Sequence, residues 1–588
     1  MVYTKKEDYT ISNIYQGGYS SLDPNKGYGN IFSGYGVTAS SLGLTTDPRN
    51  ANFLQEVSSK LSTGVKQIEV EGISPEIFES VPKQHLKEIN RLSKLTGIDV
   101  SVHGPIVEPS GVTQQGFSEA NRESAERQMN LAVERSHEIN PDGSSPVTFH
   151  SSVILPGEIK PKGQKEVKEI LIIDPETNNI KRIPITQKKF PGEEEVNVKK
   201  EIDRINEESW RSALTHLAYN TERAGQYIGD SHYLQIAKEA EEKQGKKAPE
   251  ELKRSTTLFN VGTAFLQDSY REFKELYNIA YKNAENSDKK IIEKLGEDIR
   301  EKVEKINKDP KSYTSIAMRK QIVEDGLDTL NKLNYIPQTF KPLNEFAKDR
   351  TTTTFANIAL NSYKKFKDKA PIISIENPPA GGAFSTGEEL RQIIEDSRKK
   401  FIEAAKKEGI SEGEARKQSE RLIGATLDVG HMNMLRKYGY EEKDIVKESE
   451  KLKPLLKHIH LSDNFGFEHT ELPMGMGNVP IKEIMKKLGK EGYDVKKIIE
   501  AGNWWQHFKT APVQETLEGF GSPMYSALGA PYWNQVPGFH QGYYSGLGLT
   551  LPQINYQTFG GGFSQLPTEL GGQQQGAQGS RMSGKAME

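Results

Sequence analysis

One unit recurs along this sequence. Short alternating or apolar runs read as strands, and each is followed by a charged segment with apolar residues three and four apart, which reads as a helix. The expected strands are 36–44, 65–71, 99–103, 146–151, 372–377, 425–431, 458–464 and 497–502. Parallel pairing needs a long crossover and a helix supplies it, so eight such units predict an α/β fold, a parallel (β/α)8 or TIM barrel. Local signals set the boundaries. Thr45-Thr-Asp-Pro reads as a turn and cap before a helix over 50–61, Gly97 stops a helix over 83–95, and a long polar helix is expected over 118–139. Thr386 with Glu389 three residues on reads as a capping box.

The rhythm breaks once, after the fourth strand. More than two hundred residues separate His150 from Ile372. Residues 153–370 therefore read as an insertion, beginning with a β-hairpin of 167–174 and 180–185 around the turn 175–179. From about 194 to 331 the pattern is charged and helical, a helical subdomain or lid whose Lys–Glu neighbours are solvated faces. The barrel takes 36–152 and 371–510. Before it lies an irregular arm, 1–35, and after it an extension, 511–588, aromatic and Gly-rich and then rich in Gln, Gly and Ser, a disordered composition from about 571.

Composition narrows the chemistry. With 588 residues and a net charge of −3, the chain has no global attraction for polyphosphate, so any nucleic-acid contact must be local. It contains no cysteine, which excludes disulfides, thiol nucleophiles and Cys-ligated zinc and leaves metal binding to His, Asp and Glu. No run of eighteen apolar residues occurs and the first residues lack a signal-peptide core, so a soluble cytoplasmic protein without membrane contact is expected.

The expected strand ends carry His103, His150, Glu376, Asp428 with His431, His460 and Glu500. All are metal-ligand types, and a TIM barrel builds its site at the C-terminal ends of its strands, where side chains distant in sequence converge. Nitrogen and oxygen donors suit zinc or manganese. The set exceeds what one tetrahedral zinc needs, so more than one ion is expected, with Glu376 as the bridging carboxylate. The window from Lys457 to Glu471 is the densest. His458 and His460 share one strand face, with His458 one pair deeper and structural, and Asp463, Glu468, His469 and Glu471 follow in a Gly-broken loop. Gly475-Met-Gly477 reads as a turn, and Trp504-Trp505 either stacks on a substrate ring or packs the last helix.

The series Ser101-Val-His103-Gly-Pro, Thr148-Phe-His150, Ile375-Glu376-Asn377-Pro-Pro, Leu427-Asp428-Val-Gly-His431, His460-Leu-Ser-Asp463, Met474-Gly-Met-Gly-Asn and Ile499-Glu500 resembles the endonuclease IV and xylose isomerase-like TIM-barrel superfamily. The resemblance spans about 36–152 and 371–510 and leaves the insertion and the tail unmatched. Its endonuclease IV branch cleaves DNA at abasic sites with a zinc cluster. That likeness implies His103, His150 and Glu376 on one ion, and Glu376, Asp428, His460 and Glu500 on a second. A third ion would fall to His431, but the family's Asp-x-His pair is replaced here by Glu468-His469-Thr-Glu471, leaving His469 and Glu471 as the candidates. The implied reaction is phosphodiester hydrolysis of abasic-site DNA by a metal-activated hydroxide with two or three Zn2+. The alternative branch implies a sugar or sugar-phosphate isomerase or epimerase with one divalent ion such as Mn2+, Glu376 and Glu500 shuttling protons and His431 contacting a small sugar. A third reading is a metal-binding scaffold without catalysis.

Overall fold

Eight parallel strands close on themselves in the order β1-β8-β7-β6-β5-β4-β3-β2. They are β1 Leu42–Thr45, β2 Gln67–Glu71, β3 Asp99–His103, β4 Pro146–His150, β5 Ile372–Glu376, β6 Ile423–Asp428, β7 Leu456–Leu461 and β8 Lys496–Ile499. The chain is therefore a (β/α)8 barrel with flanking helices. This computed structural model describes residues 37–520 apart from 38, 64, 144, 160, 163–168, 176, 185–197, 243–248, 285, 311–312, 503, 505–507 and 509. The arm 1–35, the extension past 520 and Trp505 lie outside the described residues.

The strands form where side chains of opposite parity both find cover. Ile68, Val70, Val102, Phe149, Ile375, Leu427, Ile459 and Leu461 are buried on one parity, and the other parity turns polar residues into the barrel. Helices start and stop on local chemistry. Lys83–Thr96 ends at Gly97, whose φ of 66° is left-handed and free of a Cβ penalty. Glu119–Ile139 is capped by the Ser118 side chain, and Gly387–Lys407 starts with a reciprocal Thr386–Glu389 capping box.

The sixth strand is shorter than the 425–431 pattern predicts at its C-terminal end. It stops at Asp428, because that carboxylate accepts from the His431 backbone N–H at 2.7 Å and caps a short helix, Val429–Asn433. Gly430 permits the turn, since a Cβ there would meet Ser462 Oγ at 2.1 Å. His431 thus sits on a helix, not a strand.

Two compact units divide the chain. Among the described residues, one comprises 115–117 and 169–346, and the other holds the barrel and the residues from 347 to 520. In the first, Glu169–Asp174 pairs antiparallel with Asn179–Pro184, and Lys341–Pro342 adds a third strand. Helices Val198–Glu242, Pro249–Asn283, Asn286–Lys308 and Tyr313–Leu330 follow, around a core that includes Trp210, Leu217, Phe273, Ile292 and Ile322. A further helix, Leu343–Phe366, lies within the stretch 153–370, yet its residues from 347 belong to the barrel unit as the crossover into β5. No helix among the described residues is long and apolar enough to cross a membrane.

Candidate metal centre

The barrel interior above its midpoint consists of two polar layers, related by the two-residue repeat of a strand. The lower layer holds Glu69, Ser101, Thr148, Ser374, Thr426 and His458, all at most 1% exposed. Two positions on, the same six strands carry Glu71, His103, His150, Glu376, Asp428 and His460, and Glu500 follows β8. Register aligns them: Glu71 is opposite His103, Glu376 opposite His150, and Asp428 opposite His460.

Glu376 sits at the centre of the upper layer. Its Oε2 lies 3.2 Å from His103 Nε2 and 3.5 Å from His150 Nε2. Its Oε1 lies 3.0 Å from His460 Nδ1, which is also 3.2 Å from Glu500 Oε2. The donors His103, His150 and Glu376 come together within 4.8 Å of one another, and so do Glu376, Asp428, His460 and Glu500. These are the two groups that the endonuclease IV resemblance implies for two ions, with Glu376 common to both.

The outer nitrogens of these histidines are held from behind. His103 Nδ1 donates to the Gly104 carbonyl at 2.9 Å, which leaves Nε2 as the donor atom facing Glu376. His431 Nδ1 donates to the Asn377 carbonyl at 2.8 Å, leaving Nε2 inward. Asn377 also clasps the Asp428 backbone in both directions, at 3.0 Å each way.

The third group is only partly assembled. His431 Nε2 and His469 Nε2 approach to 2.7 Å, whereas Glu471 Oε1 stays 3.9 Å from His469. Other loop residues take different roles. Asp463 is buried and accepts from the backbone of Asn464, Gly475 and Val479, which makes it the anchor of the loop and uses up the Gly475 amide. Glu468 is exposed. His458 bonds Glu69 at 2.8 Å in the lower layer. Trp504 rests against Phe508, ring centres 4.2 Å apart, and its indole N–H donates to Thr510.

Burial and charge oppose each other here. Against burial, which favours the neutral form, the Glu376 hydrogen bond and the Glu71 charge raise His103 to about 10, and the surrounding carboxylates raise His460 well above the usual histidine range. Burial drops His150 to about 3 and pushes Asp428 up to about 7. Glu376 stays well below the ordinary range despite burial, because His460 and His150 face it. Such a spread of perturbed values among touching groups is characteristic of functional sites. The donor chemistry fits a divalent cation. Glu500 Oε2 is buried without a hydrogen-bond partner, and every inward donor is nitrogen or oxygen.

Glu69 and Glu71 escape a sequence reading, although the two-residue offset from Ser101-x-His103 and His458-x-His460 is a signal that could have found them. Glu71 is buried and lines a cavity of about 330 Å³ at the barrel mouth, together with His103, His150, His431, His469 and Glu500. Burial raises the Glu71 carboxyl well above its ordinary value.

Comparison with known proteins adds a family match. Residues 363–519 match the model of the xylose isomerase-like TIM barrel. An uncharacterized protein of Methanocaldococcus jannaschii is 31% identical over 81 residues, which is 14% of this chain and 26% of that protein. The chain thus spans about a quarter of the length of that curated relative. Among solved structures, a D-tagatose 3-epimerase-like protein aligns with 82% of this chain and 96% of its own at 14% identity and a TM-score of 0.34. An L-ribulose 3-epimerase aligns with 83% and 96% at 9% identity and a TM-score of 0.36. At these scores neither structure bears on the chemistry of this chain.

Proposed function

We propose, from the xylose isomerase-like TIM-barrel match over residues 363–519 and the donor groups at the barrel mouth, that the chain is a metal-dependent enzyme and that the reaction is hydrolysis of a phosphodiester, with abasic-site DNA as the substrate to test first. One observation carries this reading. Glu376 is shared between the His103–His150 pair and the Asp428–His460–Glu500 group, an arrangement for two cations where an isomerase needs one.

Divalent cations held there, zinc being the first choice for these donors, would offset charge on phosphoryl oxygens and make water nucleophilic at neutral pH. The chain's own residues do the rest. His103 and His150 hold one oxygen of Glu376, while His460, itself braced by Glu500, holds the other, so the carboxylate cannot swing toward either alone. Asp428, held by Ser462 Oγ at 3.1 Å and by the His431 N–H, keeps its orientation as the substrate enters. His431 and His469, which line the mouth, would hold the substrate phosphate or a third cation.

A second reading is a sugar isomerase or epimerase using one divalent ion. Glu376, Asp428, His460 and Glu500 are complete for that purpose by themselves, and the family description favours it over hydrolysis. The cavity is at the small end of ligand pockets and is lined by Asp47, Glu71, Glu471 and Glu500, a setting for a neutral polyol.

The two readings separate on His150. In the nuclease, His150→Ala lowers abasic-duplex cleavage by at least about a hundredfold, the scale of losing one charge-stabilising group. Absence of cleavage by the zinc-loaded parent, together with ketose interconversion that survives His150→Ala, would reverse the order of the two readings.

A further inference from the structure

Beneath the centre, the lower layer contains a charged residue that none of the expected ligands accounts for. Glu69 on β2 is completely buried and faces three interior side chains from other strands. Its Oε2 accepts from Ser101 Oγ on β3 at 2.6 Å and meets His458 Nε2 on β7 at 2.8 Å. Its Oε1 lies 2.9 Å from His460 Nε2, the ring nitrogen that points away from Glu376. Neither atom has another partner among the described residues, so each is the other's only polar neighbour at that distance.

We propose that Glu69 is a positioning residue that fixes the tautomer and tilt of His460. The inference rests on the metal reading of the upper layer, not on the choice of reaction. An imidazole offers a metal one nitrogen only when the other carries the proton, and an acceptor behind the ring decides which. For His103 and His431 that acceptor is a backbone carbonyl. At His460, Glu69 Oε1 occupies the corresponding place. With Nε2–H turned to Glu69, Nδ1 is the nitrogen presented to Glu376, Asp428 and Glu500.

The neighbours make Glu69 suitable for this. Ser101 is fixed opposite Glu69 in the strand register, so its hydroxyl holds Oε2 without a flexible linker. His458 holds the same oxygen from across the barrel, which leaves Oε1 turned toward His460. The 2.8 Å between Glu69 and His458 is a hydrogen-bond length, with a proton between them. A carboxylate in this layer needs such partners, since an unpaired buried charge would be far more costly.

The test is a cobalt(II) titration of the full chain, stripped of metal, in competition with a chromophoric chelator, for the parent, Glu69→Gln and Ser101→Ala. Substrate plays no part, so failure of the hydrolytic reading leaves this test intact. The proposal predicts that Glu69→Gln binds the same number of ions as the parent, with the affinity of one falling by about 10–100-fold, the range for loss of a metal ligand's outer partner. The cobalt d–d bands of that ion shift, and the metal-free variant remains folded by circular dichroism. Ser101→Ala keeps the carboxylate and predicts a smaller loss at the same ion, which carries the test should Glu69→Gln not fold. Affinities within about twofold of the parent would overturn the proposal, as outer-partner losses exceed that. Loss of one whole ion at saturation would also overturn it, because Glu69 would then be a ligand itself.

Discussion

Glu376→Gln keeps the size of the side chain and removes its charge at the position both donor groups share. The carboxylate is fully buried, with His103 Nε2 at 3.2 Å on one oxygen and His460 Nδ1 at 3.0 Å on the other. Burial alone would keep His103 neutral, and it is chiefly the Glu376 hydrogen bond that raises it to about 10. Breaking a buried pair by removing one partner typically costs about 3–5 kcal/mol. Glu71 still faces His103 in the variant and retains part of the interaction, so a loss of about 3 kcal/mol is expected for the metal-stripped barrel at pH 7. Urea unfolding of stripped parent and variant measures this, and zinc analysis of the loaded proteins reads the ligand role beside it. A variant within about 0.5 kcal/mol of the parent, as for an ordinary surface change, that also keeps its full zinc would refute the central place given to Glu376.

Two further outcomes follow from the same geometry. His103 and His460 have raised folded-state values, so their contribution is present below the ordinary histidine range and is lost as pH climbs through those values. The metal-stripped chain should therefore lose thermal stability from about pH 7 to about 10, whereas the zinc-loaded chain should not, because ligand nitrogens must be unprotonated. Melting curves across that range check the sign, and a stripped chain that gains stability would contradict it. At the mouth, His469→Ala removes the partner 2.7 Å from His431 and leaves the two Glu376-centred groups untouched. It should cost at most one zinc per chain; loss of all zinc would show that the three groups are not independent.

The barrel was legible because each strand and each helix obeys its own period and its own caps. Thr386 with Glu389, Ser118 and Gly97 act in the structure as their local chemistry dictates. The crossover helix Leu343–Phe366 was not, since it contains four consecutive threonines, Thr351–Thr354, which are poor helix formers. Tertiary partners override that propensity: Thr354 Oγ1 donates to the Pro109 carbonyl at 2.8 Å and accepts from Arg122 at 3.1 Å. Residues at strand ends could be picked out because His, Asp and Glu are unusual there. Glu69 and Glu71 stayed hidden because an alternating Ile-Glu-Val-Glu strand reads as apolar inside and charged outside. This barrel inverts that, with Ile68 and Val70 on the outer parity and both glutamates turned inward. His431 reads as a strand residue because nothing local reveals that Asp428 caps a helix instead of extending β6.

Zinc per chain tests the account most directly. The 588-residue chain is stripped, reloaded with excess zinc, dialysed and analysed by mass spectrometry for zinc against protein. Sharing of Glu376 between two donor groups predicts two zinc ions per chain, or three with His431 and His469 engaged. One ion or none would contradict it, and with it the case for a phosphodiester hydrolase.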